Sequence, residues 1–414
     1  MNVLERAECL LDAGSSGNMN FTVIAGYRGC LEVAALRRAL VALQEQHLLL
    51  RSTLIWEGDH CHFAETAAGI PMKLLPWPGD RDHHAASQAW KPAAMADLRQ
   101  RFSGGGAPLW RISWLAGDDR GQLLLTFHHA IADGLSAMAL VQQLFVWLAA
   151  DASAASPGSL AHWDDHTPEL DRTFASACHG VGDVTALVDR QDGGLSTSYG
   201  LEELSAEASA GVLAWTRQRG LRLNATLHAA FLQALVADGV LAAQTTATTV
   251  VNLRQLADPP LPWDLMRLLR VCVDSPVTVD PDAPLDALAA ELHRVLQQQL
   301  AAGAPLEALN TIAAAVQDGP SPRQLWQRSW RRGSLITNLG RVPVQAHHGP
   351  LELERLFFVA NVEPIVLPDQ PLAVLGALSF RERLSLTCFH IEQQLDDGRA
   401  AAVLADTKRR LVAL

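Results

Sequence analysis

Two hydrophobic periods alternate along the chain: a spacing of two that marks strands, and a spacing of three and four that marks amphipathic helices. Residues 20–25 form a strand-like run ended by Gly26 and Gly29, and residues 33–47 follow with Leu36, Leu40 and Leu43 on one helical face. Residues 48–56 read as extended, and residues 69–90 as an irregular stretch rich in Pro, Gly and His. A charged helix is expected over 91–102, broken by the glycines at 104–106. Two strands, 109–115 and 122–127, flank the polar turn 117–121 and predict a hairpin. Directly after it, residues 135–150 place Leu135, Met138, Val141, Phe145 and Leu148 at helical spacing, which buries one face against a sheet.

Over 151–194 the chain turns polar and irregular and reads as a connection between two halves. Beyond it the pattern predicts helices over 201–219 and 224–243, the second capped by Asn224, then a strand over 246–253, a Pro-rich loop at 258–262 and a strand over 270–279. Helices over 283–301, 306–316 and 323–331 come next, before strands near 334–338, 351–362, 371–378 and 383–390 and a terminal helix from 398. The organisation that follows is an N-terminal unit at 1–150, a connector at 151–194 and a C-terminal unit at 195–414. Strands and helices are mixed without the regular alternation of a doubly wound sheet, and no G-x-G-x-x-G or G-K-[ST] loop supports a nucleotide fold.

Composition narrows the classes. With 49% hydrophobic and 19% charged residues in 414, the chain has apolar material for a large core and is neither disordered nor fibrous. A net charge of −11 opposes general attraction to nucleic acid or anionic lipid, so any anion site is local. Six scattered cysteines form no C-x-x-C pair and read as free thiols in a reducing cytosol. The N-terminus lacks the basic and apolar regions of a signal peptide. The most apolar stretches are interrupted by Gln142 and Gln143, or by His228, Gln233 and Asp238, and are too polar and short to span a bilayer. A cytoplasmic monomer without a membrane span is expected.

The candidate chemistry lies at the junction after the hairpin, in His128-His129-x-x-x-Asp133-Gly134. Adjacent strand residues point to opposite faces, which argues against both histidines holding one metal ion. A histidine titrating near neutrality is a general base, able to take a proton from a hydroxyl or amine as it attacks a carbonyl. No serine elbow or recognisable catalytic cysteine offers a covalent nucleophile, so direct transfer is the simpler chemistry. Asp133 either orients the base or fixes the loop by pairing with an arginine; Asp133-Gly134 alone would describe a turn before a helix.

The segment from Pro108-Leu109-Trp110-Arg111 through His128–Gly134 resembles the active-site region of the HHxxxDG acyltransferase superfamily, which includes nonribosomal peptide condensation domains, polyketide-associated acyltransferases and alcohol acetyltransferases. Gln46-His47-x-x-Leu50-Arg51 is similar to its early helix-to-strand passage, Val251-Asn252-Leu253-Arg254 to its N-L-R strand, and Thr337-Asn338-Leu339-Gly340-Arg341-Val342 to a segment of its alcohol-acylating branch. The resemblance implies an α/β fold of two chloramphenicol-acetyltransferase-like subdomains in a V, with an active-site tunnel between them. His129 is then the catalytic base, His128 a supporting residue, Asp133 a structural carboxylate, and Gly134 a residue that leaves space at the tunnel wall. Arg254 is the candidate partner of Asp133, its alternative being a strand-end arginine in solvent. Asn338 either lines the site and polarises the thioester carbonyl or only makes a tight turn.

What the resemblance implies is acyl transfer from a thioester of coenzyme A or of a phosphopantetheinyl acyl or peptidyl carrier protein to an alcohol or amine, with no tightly bound cofactor, metal or nucleic acid. The alternative is a catalytically silent condensation-like domain that recruits a partner enzyme. His347-His348 reads as a surface hairpin tip, and His83-His84 similarly. Arg323, Arg328, Arg331 and Arg332, with Trp326 and Trp330, read as a solvated helix whose tryptophans face the core, or as a dock for an acidic carrier protein or coenzyme A phosphates.

Overall fold

In the computed structural model the described residues are 1–14, 19–57, 60–78, 88–102, 106–153, 195–317, 331–366 and 370–414. The expected 323–331 helix up to residue 330, His83-His84, Arg323, Trp326, Arg328, Trp330 and the connector from residue 154 on lie outside them.

Two six-stranded sheets carry the fold. The first contains β1 (Asn20–Arg28), β4 (Met72–Pro76), β5 (Trp110–Ala116), β6 (Arg120–His128), β11 (His347–His348) and β12 (Leu351–Ala360), in the order β11-β12-β1-β6-β5-β4. The hairpin expected at 109–127 is β5–β6, in register from Trp110 opposite Phe127 to Ala116 opposite Gly121. The central strand β1 is buried from Asn20 to Tyr27, because helices α3 (Trp90–Arg99) and α4 (Gly134–Ser153) pack against it, which explains its nearly unbroken apolar run. The second sheet contains β7 (Thr197–Glu203), β8 (Gln244–Asn252), β9 (Arg270–Thr278), β10 (Gly333–Arg341), β13 (Leu372–Phe380) and β14 (Arg383–Ile391), in the order β7-β14-β13-β10-β8-β9. Helices α5 (Ala206–Gln218), α6 (Leu223–Ala237), α7 (Leu285–Ala301), α8 (Ala304–Gln317) and α9 (Asp397–Val412) pack around it. The result is a mixed α/β fold of two sheet-rich halves, and the first sheet takes β11 and β12 from beyond residue 195.

Several expectations need correction. Residues 201–203 are not the start of a helix but the end of edge strand β7, which pairs with β14 from Glu203 opposite Ser385 to Thr197 opposite Ile391. The stretch 69–90 contains β4, parallel to β5, and 48–51 is a turn of 3-10 helix before β2 (Ser52–Glu57), which pairs with β3 (His60–Glu65). Asn224 lies inside α6, whose N-cap is Arg222. An N-terminal helix α1 (Val3–Gly14) was not expected. Helix α4 is buried almost all round rather than on one face, because α2 (Val33–Gln46) covers the side away from the sheet. The two glutamines that interrupt its apolar run have partners: Gln143 Oε1 meets His47 Nε2, and Gln142 Oε1 accepts the Gln345 amide at 2.7 Å. His347-His348 does form a hairpin with β12, but His348 is buried and its Nε2 donates to the Gln345 carbonyl at 2.9 Å. Among the described residues no helix is long and apolar enough to cross a membrane.

Candidate active site

The motif loop leaves β6 after His128 and enters α4 at Gly134. Two backbone bonds pin the strand end: His128 N–H donates to the Leu109 carbonyl (2.9 Å) and His129 N–H to the Met19 carbonyl (2.8 Å). His129 lines a cavity of about 860 Å³ built from both halves, including Phe21 of β1, Asn252 of β8, Arg270 of β9 and Asn338 of β10. Its ring stacks on Phe21, with centroids 4.4 Å apart. Nδ1 lies 3.2 Å from the Ala132 carbonyl oxygen. A carbonyl only accepts, so the proton sits on Nδ1 and Nε2 carries the lone pair. Burial and the nearby Arg270 charge pull the pKa down to about 3, leaving the imidazole neutral.

His128 points to the other face, as strand alternation requires. Its Nδ1 accepts the Ala130 amide at 3.0 Å, so Nε2 holds the proton and faces Asp12 Oδ1 at 3.4 Å.

Asp133 is buried and does not serve His129. Oδ1 accepts from Ser136 N (3.0 Å) and Arg254 Nη2 (3.1 Å); Oδ2 accepts from Arg254 Nη1 (2.6 Å) and the Leu269 amide (3.0 Å). Burial alone would raise its pKa, but the Arg254 charge and these donors hold the carboxyl below the usual range. Arg254 is therefore no solvent arginine: it is 1% exposed and also donates to Ser136 Oγ (2.9 Å) and the Leu265 carbonyl (2.8 Å). The bidentate pair joins the motif loop of one half to the β8 end of the other.

At Gly134 a Cβ would sit 2.8 Å from Leu339 Cδ2 on β10, so any side chain there would have to displace Leu339, itself a cavity-lining residue. Asn338 makes the turn and also lines the cavity: its Oδ1 accepts the Gly340 amide at 2.9 Å, and Gly340 has φ +67°. Arg331, expected in a solvated helix, instead lines the cavity and pairs with Asp274 at 3.1 Å.

Sequence reasoning missed Ser136, the Leu269 amide and the α1 acids. Glu5 pairs with Arg267 (2.7 Å) and Glu8 with Arg270 (2.7 Å). Asp133-x-x-Ser136 at a helix start was a legible capping signal; the long-range ion pairs had none.

Comparison with known proteins bears on the family and the fold. The condensation-domain family model matches residues 10–158, and the model of the phthiocerol/phthiodiolone dimycocerosyl transferase C-terminus matches residues 196–389. The chain belongs to the condensation-domain and acyltransferase superfamily. Over 194 residues it is 27% identical to hybrid PKS-NRPS synthetase 1 of Dothistroma septosporum, a match that covers 44% of this chain and 4% of that protein's length. Polyketide synthase associated protein 5 from Mycobacterium tuberculosis superposes with a TM-score of 0.68 at 18% identity, covering 98% of this chain and 95% of the other. Trichothecene 15-O-acetyltransferase from Fusarium sporotrichioides does so with a TM-score of 0.69 at 13% identity, covering 100% and 94%. At those identities the superpositions speak for the fold, and the two family models for the membership.

Proposed function

We propose that the chain is an acyltransferase of the HHxxxDG type that joins an activated acyl thioester to an alcohol or amine in natural-product assembly. The observation that carries this reading is His129: a neutral imidazole in a cavity, with Nδ1 tied to the Ala132 carbonyl and Nε2 left as the base. The acceptor's O–H or N–H gives its proton to Nε2 as the oxygen or nitrogen attacks the thioester carbonyl, a step typically worth about 10²–10⁴ in rate. The thiol of coenzyme A, or of a carrier-protein pantetheine, then leaves.

The other residues support that step. Asp133 and Arg254 hold the loop, His128 anchors its start, and Gly134 keeps the wall clear. The Asn338 side-chain NH₂ is a candidate donor to the thioester carbonyl. A cavity of about 860 Å³ lined largely by Leu, Val, Phe and Ala suits a hydrocarbon acyl chain. Both units, 1–150 and 195–414, contribute to the wall, which supports one catalytic body rather than two working domains.

The test offers acyl-coenzyme A and acyl-loaded carrier protein in parallel, each with a panel of alcohols and amines, and identifies products by mass spectrometry. An acyl ester or amide from either donor supports the reading, and the arm that works selects the donor. Absence of acyl product in every arm, with a stable complex to a tailoring enzyme, contradicts it in favour of a recruiting domain.

A further inference from the structure

Arg270 opens β9 beside the motif loop. The amide of its neighbour Leu269 donates to Asp133 Oδ2 at 3.0 Å, so this strand start is fixed to the loop that carries His129. The Arg270 side chain enters the same cavity. Its Nη2 donates to Glu8 Oε1 of α1 at 2.7 Å. Nη1 and Nε have no protein partner among the described residues, and the side chain is 26% exposed. Glu8 is itself 8% exposed at its side chain, and its Oε2 has no hydrogen-bond partner, so it holds the guanidinium without saturating it. The two other arginines lining the cavity among the described residues are committed elsewhere: Arg254 to Asp133, Arg331 to Asp274.

An apolar cavity with a fixed guanidinium next to a neutral base is suited to one event, the appearance of negative charge on a carbonyl oxygen. We propose that Arg270 is a catalytic residue whose free N–H groups donate to the oxyanion of the tetrahedral intermediate formed beside His129. The inference rests on the acyl-transfer reading. The acceptor oxygen bonds to the thioester carbon as its proton passes to His129 Nε2, and the carbonyl π pair moves onto oxygen, where Arg270 stabilises it. When that pair re-forms C=O, the C–S bond breaks and the leaving sulfur takes the proton back from Nε2. The same charge contributes, after burial, to keeping His129 neutral before the acceptor arrives.

The experiment compares wild type with Arg270→Gln, Arg270→Lys and the double variant Glu8→Gln/Arg270→Met, which strands no buried carboxylate. It measures kcat, KM, inhibition by an acyl phosphonate mimic of the tetrahedral intermediate, and binding of a thioether donor analogue that lacks the carbonyl. Arg270→Gln and the double variant should lose about 10²–10³ in kcat. Phosphonate affinity should fall comparably, thioether binding should stay unchanged, and Arg270→Lys should recover part of the rate. A folded Arg270→Gln or double variant with wild-type kcat, or equal losses for phosphonate and thioether, overturns the inference. His129→Ala separates the two claims. If it is inactive while the Arg270 variants are normal, only the oxyanion role fails; if it turns over like wild type, the acyl-transfer reading fails.

Discussion

Asp133 accepts four N–H donors from Ser136, Arg254 and Leu269, and no bond joins it to His129. Of the two roles open to it in the sequence, the geometry favours holding the loop. Arg254→Met leaves that carboxylate buried without its countercharge and should cost roughly 3–5 kcal/mol in urea unfolding. An unchanged unfolding midpoint would contradict the pairing. The sign of the pH effect follows: a depressed carboxyl stabilises the fold above its unfolded pKa, near 3.9, and the contribution is lost only as pH falls through the lower folded value. For His129 the lowered pKa acts on rate. The acidic limb of kcat/KM should fall below about pH 5, since the free base persists well under the ordinary histidine pKa of about 6.5. A limb at pH 6–7 would show an ordinary, solvated imidazole. The candidate residues were legible because motif chemistry is local, and Arg254 because its strand resembled a known one. Arg270 was not, since nothing near it in sequence foretells that Glu8, 262 positions away, will hold it in the cavity.

Element positions were read best where burial is one-sided or complete, as in β6, α9 and the hairpin. They were missed where tertiary contacts override the local pattern. In α1 the residues Glu5, Arg6 and Glu8 are buried, so the helix shows no clean polar face; both of these acids are matched by arginines of the other half. In β7 the run Leu201-Glu202-Glu203 has helix-forming composition, yet it pairs along an edge of the second sheet, where β14 supplies the register. Strand β10 makes its own prediction through Leu339. Gly134→Val, which must displace that side chain at the cavity wall, should keep the fold, as read by circular dichroism, and lower turnover by about 10²-fold, because displacing the reacting groups by an ångström costs that much. A folded variant of normal activity would remove the wall role of Gly134.

At the scale of the whole molecule, both sheets border one cavity; Arg254 after β8 pairs with Asp133 after β6, and Arg267 and Arg270 pair with Glu5 and Glu8 of α1. The periodicity of the chain shows two halves but not that β11 and β12 cross into the first sheet, because strand pairing partners hundreds of residues apart leave no local signal. With a net charge of −11, an acidic carrier or a coenzyme A phosphate, if either is the donor, would have only local arginines to meet. Raising ionic strength from about 0.01 to 0.15 M, which shortens the screening length from about 30 to about 8 Å, should raise the donor KM with little change in kcat; a salt-independent KM would deny an electrostatic dock. Rapid-quench single turnover of wild type against His129→Ala, following thiol release and acylated acceptor together, tests whether His129 is the base of an acyl transfer. Both signals should fall by at least about 10²-fold in the folded variant; equal rates of product formation in the two proteins would rule out that role for His129.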